Sequence, residues 1–317
     1  MDTALFFGLG SIGRRHLSVL QELDSSVEVH AYRSQKADPD EFPNVIQHDE
    51  LDEALSVNPD VAFITNPTSL HVETAITAAE HGCHLFIEKP LSDTLAGTEQ
   101  LSRVVATNDL ITYVACVFRF HPVLKYIKTQ LENNVIGTVY NYRVFSGSYL
   151  PDWRPEQDYR ESYSADPDMG GGVVLDLIHE IDYAYWLFGD VLDTKAWVGQ
   201  LSELEIESED FVEAIVSMES GAVGQIHLDY YRPEPRRTIE ITGSDGIITG
   251  DLLDGTVTVT ANQETIEKEF EFERNDLFRS QLSHFLTHVR NGDPCDNDVE
   301  QGRTVLEIAL GIKFNNE

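Results

Sequence analysis

Six residues near the start of the chain, Gly8-Leu9-Gly10-Ser11-Ile12-Gly13, have the spacing that lets a backbone receive a pyrophosphate. In such a G-x-G-x-x-G turn the first glycine permits the sharp bend and the second lets backbone N–H groups approach the phosphates. The third allows close helix–strand packing, and the phosphates then rest on a helix N-terminus. Alone the pattern is weak. Here it stands between an apolar strand-like run and a helical one, the context that points to dinucleotide binding. The end of the second strand reads His30-Ala31-Tyr32-Arg33-Ser34, with no carboxylate before Asp38. A carboxylate there would bind the ribose hydroxyl of NAD, whereas arginine accommodates the extra phosphate of NADP. Arg33 and Ser34 therefore favour NADP over NAD, and Arg14 is placed to stack on adenine. Two further polar segments directly follow strands: Asn66-Pro67-Thr68-Ser69-Leu70-His71 and Glu88-Lys89-Pro90. In an open parallel sheet, ligands collect at those carboxyl ends.

The elements that must position these groups alternate between short apolar strands and amphipathic helices, the signature of βαβ units. Strands are expected at residues 4–8, 27–32, 61–65, 84–88 and 110–118, and helices at 12–23, 70–81 and 94–107. Around residues 119–122 the pattern changes. A helix at 122–133 precedes an alternating strand at 137–144, and a second helix runs from Gly170-Gly171-Gly172 to residue 188. Strands with two-residue alternation follow at 194–200, 210–217, 224–229 and 238–242 and near 247 and 257, and helices at 276–290 and 298–314 close the chain. The fold expected is α/β. A Rossmann domain with a doubly wound parallel sheet covers residues 1–120. An α+β domain with a large open, mostly antiparallel sheet covers 121–317, for substrate binding and oligomerisation.

The glycine-rich first turn, the N-P-x-x-x-H loop and E-K-P together resemble the glucose-fructose oxidoreductase / inositol dehydrogenase (Gfo/Idh/MocA) family of NAD(P)-dependent oxidoreductases. The resemblance continues through Gly170-Gly171-Gly172-Val173-Val174-Leu175-Asp176-Leu177-Ile178-His179-Glu180-Ile181-Asp182, so it spans essentially the whole chain. It implies that Gly8, Gly10, Ser11, Ile12, Gly13, Arg14, Arg33, Ser34, Asn66, Pro67, His71, Glu88 and Lys89 hold the cofactor. It also implies that Lys89 lies near the reacting hydroxyl, that His179 is the general base and that Asp176 is a supporting carboxylate. The chemistry is consistent. Hydride loss from an alcohol carbon requires removal of the hydroxyl proton, and imidazole titrates near the working pH. An ammonium beside the oxygen stabilises developing alkoxide charge. The triple glycine is read as backbone that lets a ligand come close. One departure stands out: the family commonly spaces Asp and His four apart, and here Asp176 and His179 are three apart, still neighbours on a helix. Either Asp176 takes another role or the helix begins differently.

The substrate reader is expected just before the triple glycine, at Trp153, Arg154, Tyr159, Arg160 and Tyr163, together with Arg119 and His121 after the last Rossmann strand. Aromatic faces pack on sugar C–H surfaces, and arginine forks grip carboxylate or phosphate. The texture is similar to that of family members associated with surface-polysaccharide or acidic-sugar pathways. The implied activity is hydride transfer between NAD(P) and a hydroxyl or carbonyl of a sugar, sugar acid or nucleotide sugar. Reduction of an unrelated carbonyl or imine is one alternative, and a non-catalytic dinucleotide-binding sensor on the same fold is another.

Charge narrows the partners. The 317 residues carry 55 Asp plus Glu against 22 Lys plus Arg, a formal charge of -33, and only 7 of the cations are Lys. That field repels nucleic acid and anionic membranes, so neither partner is expected. So large an excess is what adaptation to concentrated salt produces, since at 1 M salt the Debye length falls to ~3 Å. No apolar run approaches the ~18–20 residues of a membrane span. Cys83, Cys116 and Cys295 lie far apart, and His284 and His288 lack an HExxH setting, so no metal site is expected. A soluble cytoplasmic enzyme is expected, a homodimer or homotetramer packed through its second-domain sheet.

Overall fold

A strand that is apolar at every residue must be covered on both faces. β4 (Val61–Ile64) is of this kind, and so is β1 (Thr3–Phe7) from Ala4 onward. They sit at the middle of a six-stranded parallel sheet with β2 (Glu28–Tyr32), β3 (Val45–His48), β5 (His84–Ile87) and β6 (Thr112–Val114), in the order β3-β2-β1-β4-β5-β6. The computed structural model describes residues 1–33, 42 and 44–314. Along the chain these strands alternate with α1 (Ser11–Leu23), α2 (Leu51–Ser56), α3 (His71–Glu80) and α4 (Thr98–Thr107). One face buries Leu5, Phe7, Ala62, Ile64, Leu85 and Ile87 against Ala75, Ala78, Ala79 and Leu101 of α3 and α4. The other stacks Phe6 on Phe63, with ring centroids 4.3 Å apart. The short elements β3 and α2 are absent from the sequence expectation, and β6 is three residues long rather than nine, because the chain turns into a 3-10 helix at Val117–Phe120.

The second unit is built on an eight-stranded sheet. It comprises α5 (Pro122–Glu132), β7 (Val139–Tyr149), α6 (Val173–Asp176), α7 (Ile178–Phe188), β8 (Val191–Gly199), β9 (Phe211–Met218) and β10 (Val223–Asp229). β11 (Tyr231–Gly243), β12 (Gly246–Asp251), β13 (Thr256–Ala261) and β14 (Glu264–Glu269) complete it. The strand order is β14-β13-β12-β11-β7-β10-β9-β8, with β7 and β10 parallel and every other pair antiparallel. Alternation decides the faces. Tyr142 and Val144 of β7 point inward, and Tyr142 stacks on Phe188 of α7 with centroids 3.9 Å apart. The outer face carries Arg143 and Phe145 of β7, Glu213 of β9, His227 of β10 and Glu240 of β11, around a depression of about 450 Å³.

Two findings differ from the sequence reading. The helix expected from the triple glycine to residue 188 is broken at Leu177, whose ψ of +31° leaves the helical region. Asp176 and His179 therefore lie on separate helices, not on one helical face. The division into units also differs from a single boundary near 120: unit one is Met1–Cys116 with Arg274–Leu306, and unit two is Val117–Glu273 with Glu307–Glu317. The cause is α8 (Arg274–Asn291). Its Phe285 packs edge-on to Phe86 of β5, and its Arg279 and Arg290 pair with Glu22 on α1 and Asp24 just beyond it. The last helix, α9 (Val299–Phe314), begins beside β6, where the Val299 N–H donates to Thr112 Oγ1. Among the described residues no helix is long and apolar enough to cross a membrane.

His121, expected near substrate, is instead a buried joint of unit two. Its Nδ1 accepts from the Val123 N–H to cap α5, and its Nε2 contacts the Leu252 carbonyl beyond β12 at 3.1 Å. Burial pulls its pKa down to about 4, outweighing the Leu252 carbonyl, with the Arg237 charge adding to the drop. A depressed histidine pKa stabilises the fold above the unfolded value and loses that contribution as pH falls through the folded value. The contribution is about 3 kcal/mol at most. Thermal melts of wild type and His121→Asn from pH 7 to pH 4 should therefore converge as pH drops. A gap that stays constant across that range would show that His121 is not a neutral joint.

Candidate active site

In unit one the glycine turn shows which glycines serve the fold and which face outward. Gly8 has φ of +92°, a conformation that side chains resist, and its carbonyl accepts from Thr65 Oγ1 at 2.7 Å. A Cβ on Gly13 would lie 2.6 Å from the Gly8 oxygen and 2.8 Å from Thr65 Oγ1, so α1 sits hard against β1 and β4. A Cβ on Gly10 would meet nothing within 4 Å. Gly10 is the exposed N-cap of α1, Ser11 is exposed, Ile12 is half-buried, and no acidic side chain occupies the first turn. An open helix start without competing carboxylates fits a pyrophosphate.

Around this turn Arg14 Nε donates to the Leu9 carbonyl, and the Arg14 and Arg33 guanidinium groups lie 4.9 and 5.6 Å from the Phe42 ring centroid. Phe42, which sequence reasoning did not single out, thus brings the two arginines together. Ser34 lies outside the described residues. Asn66 Nδ2 donates to Thr74 Oγ1 beside the exposed Pro67. His71 is almost wholly buried, with Nδ1 2.9 Å from the Pro90 carbonyl and Nε2 2.9 Å from the Asn66 carbonyl. Burial lowers its pKa, and a neutral ring carries one proton for those two oxygens. Its geometry is that of a tie between two loops. Glu88 is likewise buried, 2.5 Å from Nε2 of the wholly buried His16, and its other oxygen accepts from the Lys89 N–H. Lys89 itself is half-buried, and its bond to Pro90 is cis. His16 carried one signal in the sequence: it stands one turn past Gly13 on the buried stripe of α1.

In unit two the second and third glycines of the triple are crowded by the protein itself. A Cβ on Gly171 would lie 2.1 Å from the Tyr163 carbonyl, and one on Gly172, at φ of +108°, 2.2 Å from Glu209 Oε1. Glu209 also meets Lys313 Nζ at 3.1 Å, and Lys313 donates to the Gly171 carbonyl. These glycines admit Glu209 and neighbouring carbonyls rather than a ligand. Beyond them Asp176 is buried, its Oδ2 accepting from Ser164 Oγ at 2.6 Å and Tyr230 OH at 2.8 Å. His179 is 9 % exposed and packs edge-on to Phe118, centroids 5.0 Å apart.

The two carboxylates after His179 are wholly buried and matched to arginines: Glu180 lies 2.8 Å from Arg237 Nε, and Asp182 receives Arg119 at 2.7–3.2 Å. Arg119, expected to read substrate, is committed to Asp182. Trp153 stands edge-on to Tyr230 and donates its indole N–H to Ser148 Oγ. Arg160 is exposed and bridges Asp158 and Glu205, while the Tyr159 hydroxyl accepts from the Glu205 N–H. Arg154 is exposed and Tyr163 half-buried. Glu180, Asp182, Arg237, Ser164 and Tyr230 were missed as a set. The available signal was two acids inside a helix otherwise apolar enough to be buried, because buried charges need partners.

Comparison with known proteins adds the following. A family model described as "Oxidoreductase family, NAD-binding Rossmann fold" matches residues 3–116, and one described as "GFO/IDH/MocA C-terminal domain" matches residues 124–249. The chain is 27 % identical to myo-inositol 2-dehydrogenase of Thermotoga maritima, over 98 % of this chain and 95 % of that protein. It is 24 % identical to UDP-N-acetylglucosamine 3-dehydrogenase of Acidithiobacillus ferrooxidans, over 96 % and 94 %. Among solved structures, levoglucosan dehydrogenase in complex with NADH and levoglucosan superposes with a TM-score of 0.88 at 18 % identity, over 99 % and 96 % of the two chains. That likeness is one of fold.

The glycine geometry makes a paired prediction. Gly13→Ala should lower the melting temperature, because backbone and Thr65 must give way by several tenths of an ångström. Gly10→Ala should leave the melting temperature within about 2 °C yet weaken NAD(P) binding at least ~10-fold, since its methyl group fills the place of close phosphate approach. Scanning fluorimetry and calorimetric titration read the two effects apart. Full cofactor affinity in Gly10→Ala would remove this turn from the binding site.

Proposed function

The chain belongs to the GFO/IDH/MocA oxidoreductase family, and on that premise we propose that it is an NAD(P)-dependent dehydrogenase or reductase acting in the cytoplasm on CH–OH groups of sugar-type compounds. The observation that carries this reading is the open start of α1 at Gly10, beside glycines whose space the fold itself fills. The relatives' substrates, an inositol, a nucleotide sugar and an anhydrosugar, are all cyclic polyhydroxyl compounds, and that class is proposed here too.

Residues Gly8 to Gly13, Arg14, Arg33 and the Asn66 and Glu88 loops would hold the cofactor. When bound, its nicotinamide supplies or accepts the hydride. His179 takes the hydroxyl proton during oxidation and returns it during reduction, and Lys89 steadies the negative charge that develops on that oxygen. Asp176 supports the proton transfer. NADP is preferred over NAD: Arg33 directly follows β2, where a carboxylate would select NAD, and its buried Nη1 has no partner among the described residues.

Assembly follows from the outer face of the second sheet, which exposes Trp197 (71 %), Ile215 (46 %), Val223 (46 %) and Ile247 (44 %). Exposed apolar side chains on an open sheet face, beside the charged Arg143, Glu213 and Glu240, call for a partner, and a second copy of the chain is proposed, as a homodimer or homotetramer. The charge of -33 makes that association repulsive in dilute buffer, so it strengthens with salt, as a salt-adapted protein requires.

Turnover should be tested with NAD and NADP against myo-inositol, levoglucosan and UDP-N-acetylglucosamine. Lys89→Met should bind cofactor normally and lose several orders of magnitude in kcat, and His179→Asn should lose about 10²–10⁴. Near-wild-type turnover in either variant would remove that residue from the chemistry. Calorimetry should give tighter binding of NADP than of NAD, and equal affinities would refute the assignment of Arg33. Light scattering from about 0.1 to 3 M KCl should show the oligomer strengthening with salt. A monomer throughout would defeat the assembly.

A further inference from the structure

Both hydroxyl donors to Asp176 are tied to the segment between β7 and α6. Ser164 lies within it. Its carbonyl is fixed by the Gly172 N–H and the Ser208 hydroxyl, and its own hydroxyl reaches Asp176 Oδ2 over 2.6 Å. Tyr230 reaches the same oxygen from the junction of β10 and β11 over 2.8 Å. Burial above all, and then the Asp176 charge, push the Tyr230 phenol well above its ordinary pKa, so it serves as a donor that keeps its proton. Its backbone is bonded on both sides: the Leu150 N–H donates to its carbonyl, and its own N–H donates to the Asp210 carbonyl.

The ring of Tyr230 is equally constrained. Trp153 stands edge-on to it, with centroids 5.3 Å apart and an interplanar angle of 87°. Trp153 is 37 % exposed, whereas Tyr230 has no exposure at all. One buried ring therefore connects a surface-accessible indole to a buried carboxylate. Two O–H donors converging on one carboxylate oxygen set both its rotamer and the plane of the group, because charge-assisted bonds are short and directional. The donors come from different stretches of chain, so the orientation of Asp176 is linked to the place of the segment holding Trp153 and Ser164.

We propose that Tyr230, together with Ser164, is a positioning residue that sets the orientation of Asp176 and couples it to the Trp153 segment. This inference rests on the oxidoreductase reading above, in which Asp176 supports proton transfer.

Tyr230→Phe deletes one oxygen and leaves the ring under Trp153. With whichever compound of the panel above turns over, it should lower kcat roughly 10–100-fold while KM and the cofactor Kd stay within about 2-fold, because a misplaced group costs rate rather than binding. In an Asp176→Asn background the same change should cost less than about 2-fold, since the two act as one unit. An equal loss in both backgrounds would show that Tyr230 acts independently of Asp176 and would overturn the inference. Wild-type kcat in Asp176→Asn alone would instead fail the catalytic reading of Asp176, a different result. A crystal structure of Tyr230→Phe needs no substrate. The Asp176 carboxylate should be turned from its wild-type position, and an unmoved carboxylate counts against the proposal. Should Tyr230→Phe not fold, Ser164→Thr, which keeps a hydroxyl, should retain the rate that Ser164→Ala loses. Equal rates in those two variants would overturn the role of Ser164.

Discussion

Two ion pairs inside unit two fix much of what surrounds them. Glu180 and Asp182 have no solvent exposure, and each meets an arginine, Arg237 and Arg119 respectively. A carboxylate buried without a partner is strongly destabilising, by about 3–5 kcal/mol when one member of such a pair is removed. Helix α7 can therefore dock in only one register, the one that delivers both acids to both arginines. That register also sets His179 against Phe118, whose ring is covered in turn by the Arg237 guanidinium 4.4 Å from its centroid. The pairs contribute specificity of placement more than net stability. A well-packed apolar substitute for both partners could be as stable and would leave the rotation of the helix less determined.

The same logic runs through unit one with different chemistry. There the constraint is steric at Gly13 and electrostatic at His16 and Glu88. His16 reaches from α1 to the loop after β5, and His71 ties the loops after β4 and β5 to each other. Lys89 thus leaves the sheet from a loop whose neighbours on both sides are held by buried imidazoles. Each tie joins groups distant in sequence, which is why a binding loop can be well placed without regular secondary structure of its own.

This distinction explains what was legible in the residues beforehand. The glycine turn, the apolar strands and the alternation of the second sheet are local patterns, and the strand order of both sheets agrees with the architecture they imply. The roles of Arg119 and the triple glycine were not local. Arg119 finds Asp182 sixty-three positions away, and Gly172 makes room for Glu209 from the loop before β9, which nothing nearby in sequence announces. An arginine after a strand and a run of glycines look the same whether they face a ligand or the protein's own acids. The break at Leu177 was hidden as well: Leu177 and Ile178, the two residues between Asp176 and His179, are not helix breakers, so local propensity gives no sign that the backbone leaves the helical region there. The return of α8 to unit one depends on Phe285 and two arginines meeting partners from the first ninety residues, again a matter of distance along the chain.

The parallel pairing of β7 with β10 has a consequence for how the molecule is made. Antiparallel neighbours can be joined by a short turn, but this pair closes a loop running from Tyr149 to Val223, and Trp153, Ser164, Asp176 and His179 all lie inside it. Closing so long a loop costs conformational entropy before any contact rewards it, so pairings of this kind form slowly. Hairpins such as β11–β12 and β12–β13 need no such closure and can form early. During synthesis the chain must also extend past β10 before β7 finds its inner neighbour. The groups read here as catalytic in unit two are thus enclosed by one of the last contacts the sheet is expected to make, and a partly folded chain can hold much native hairpin structure while having no organised chemistry at all.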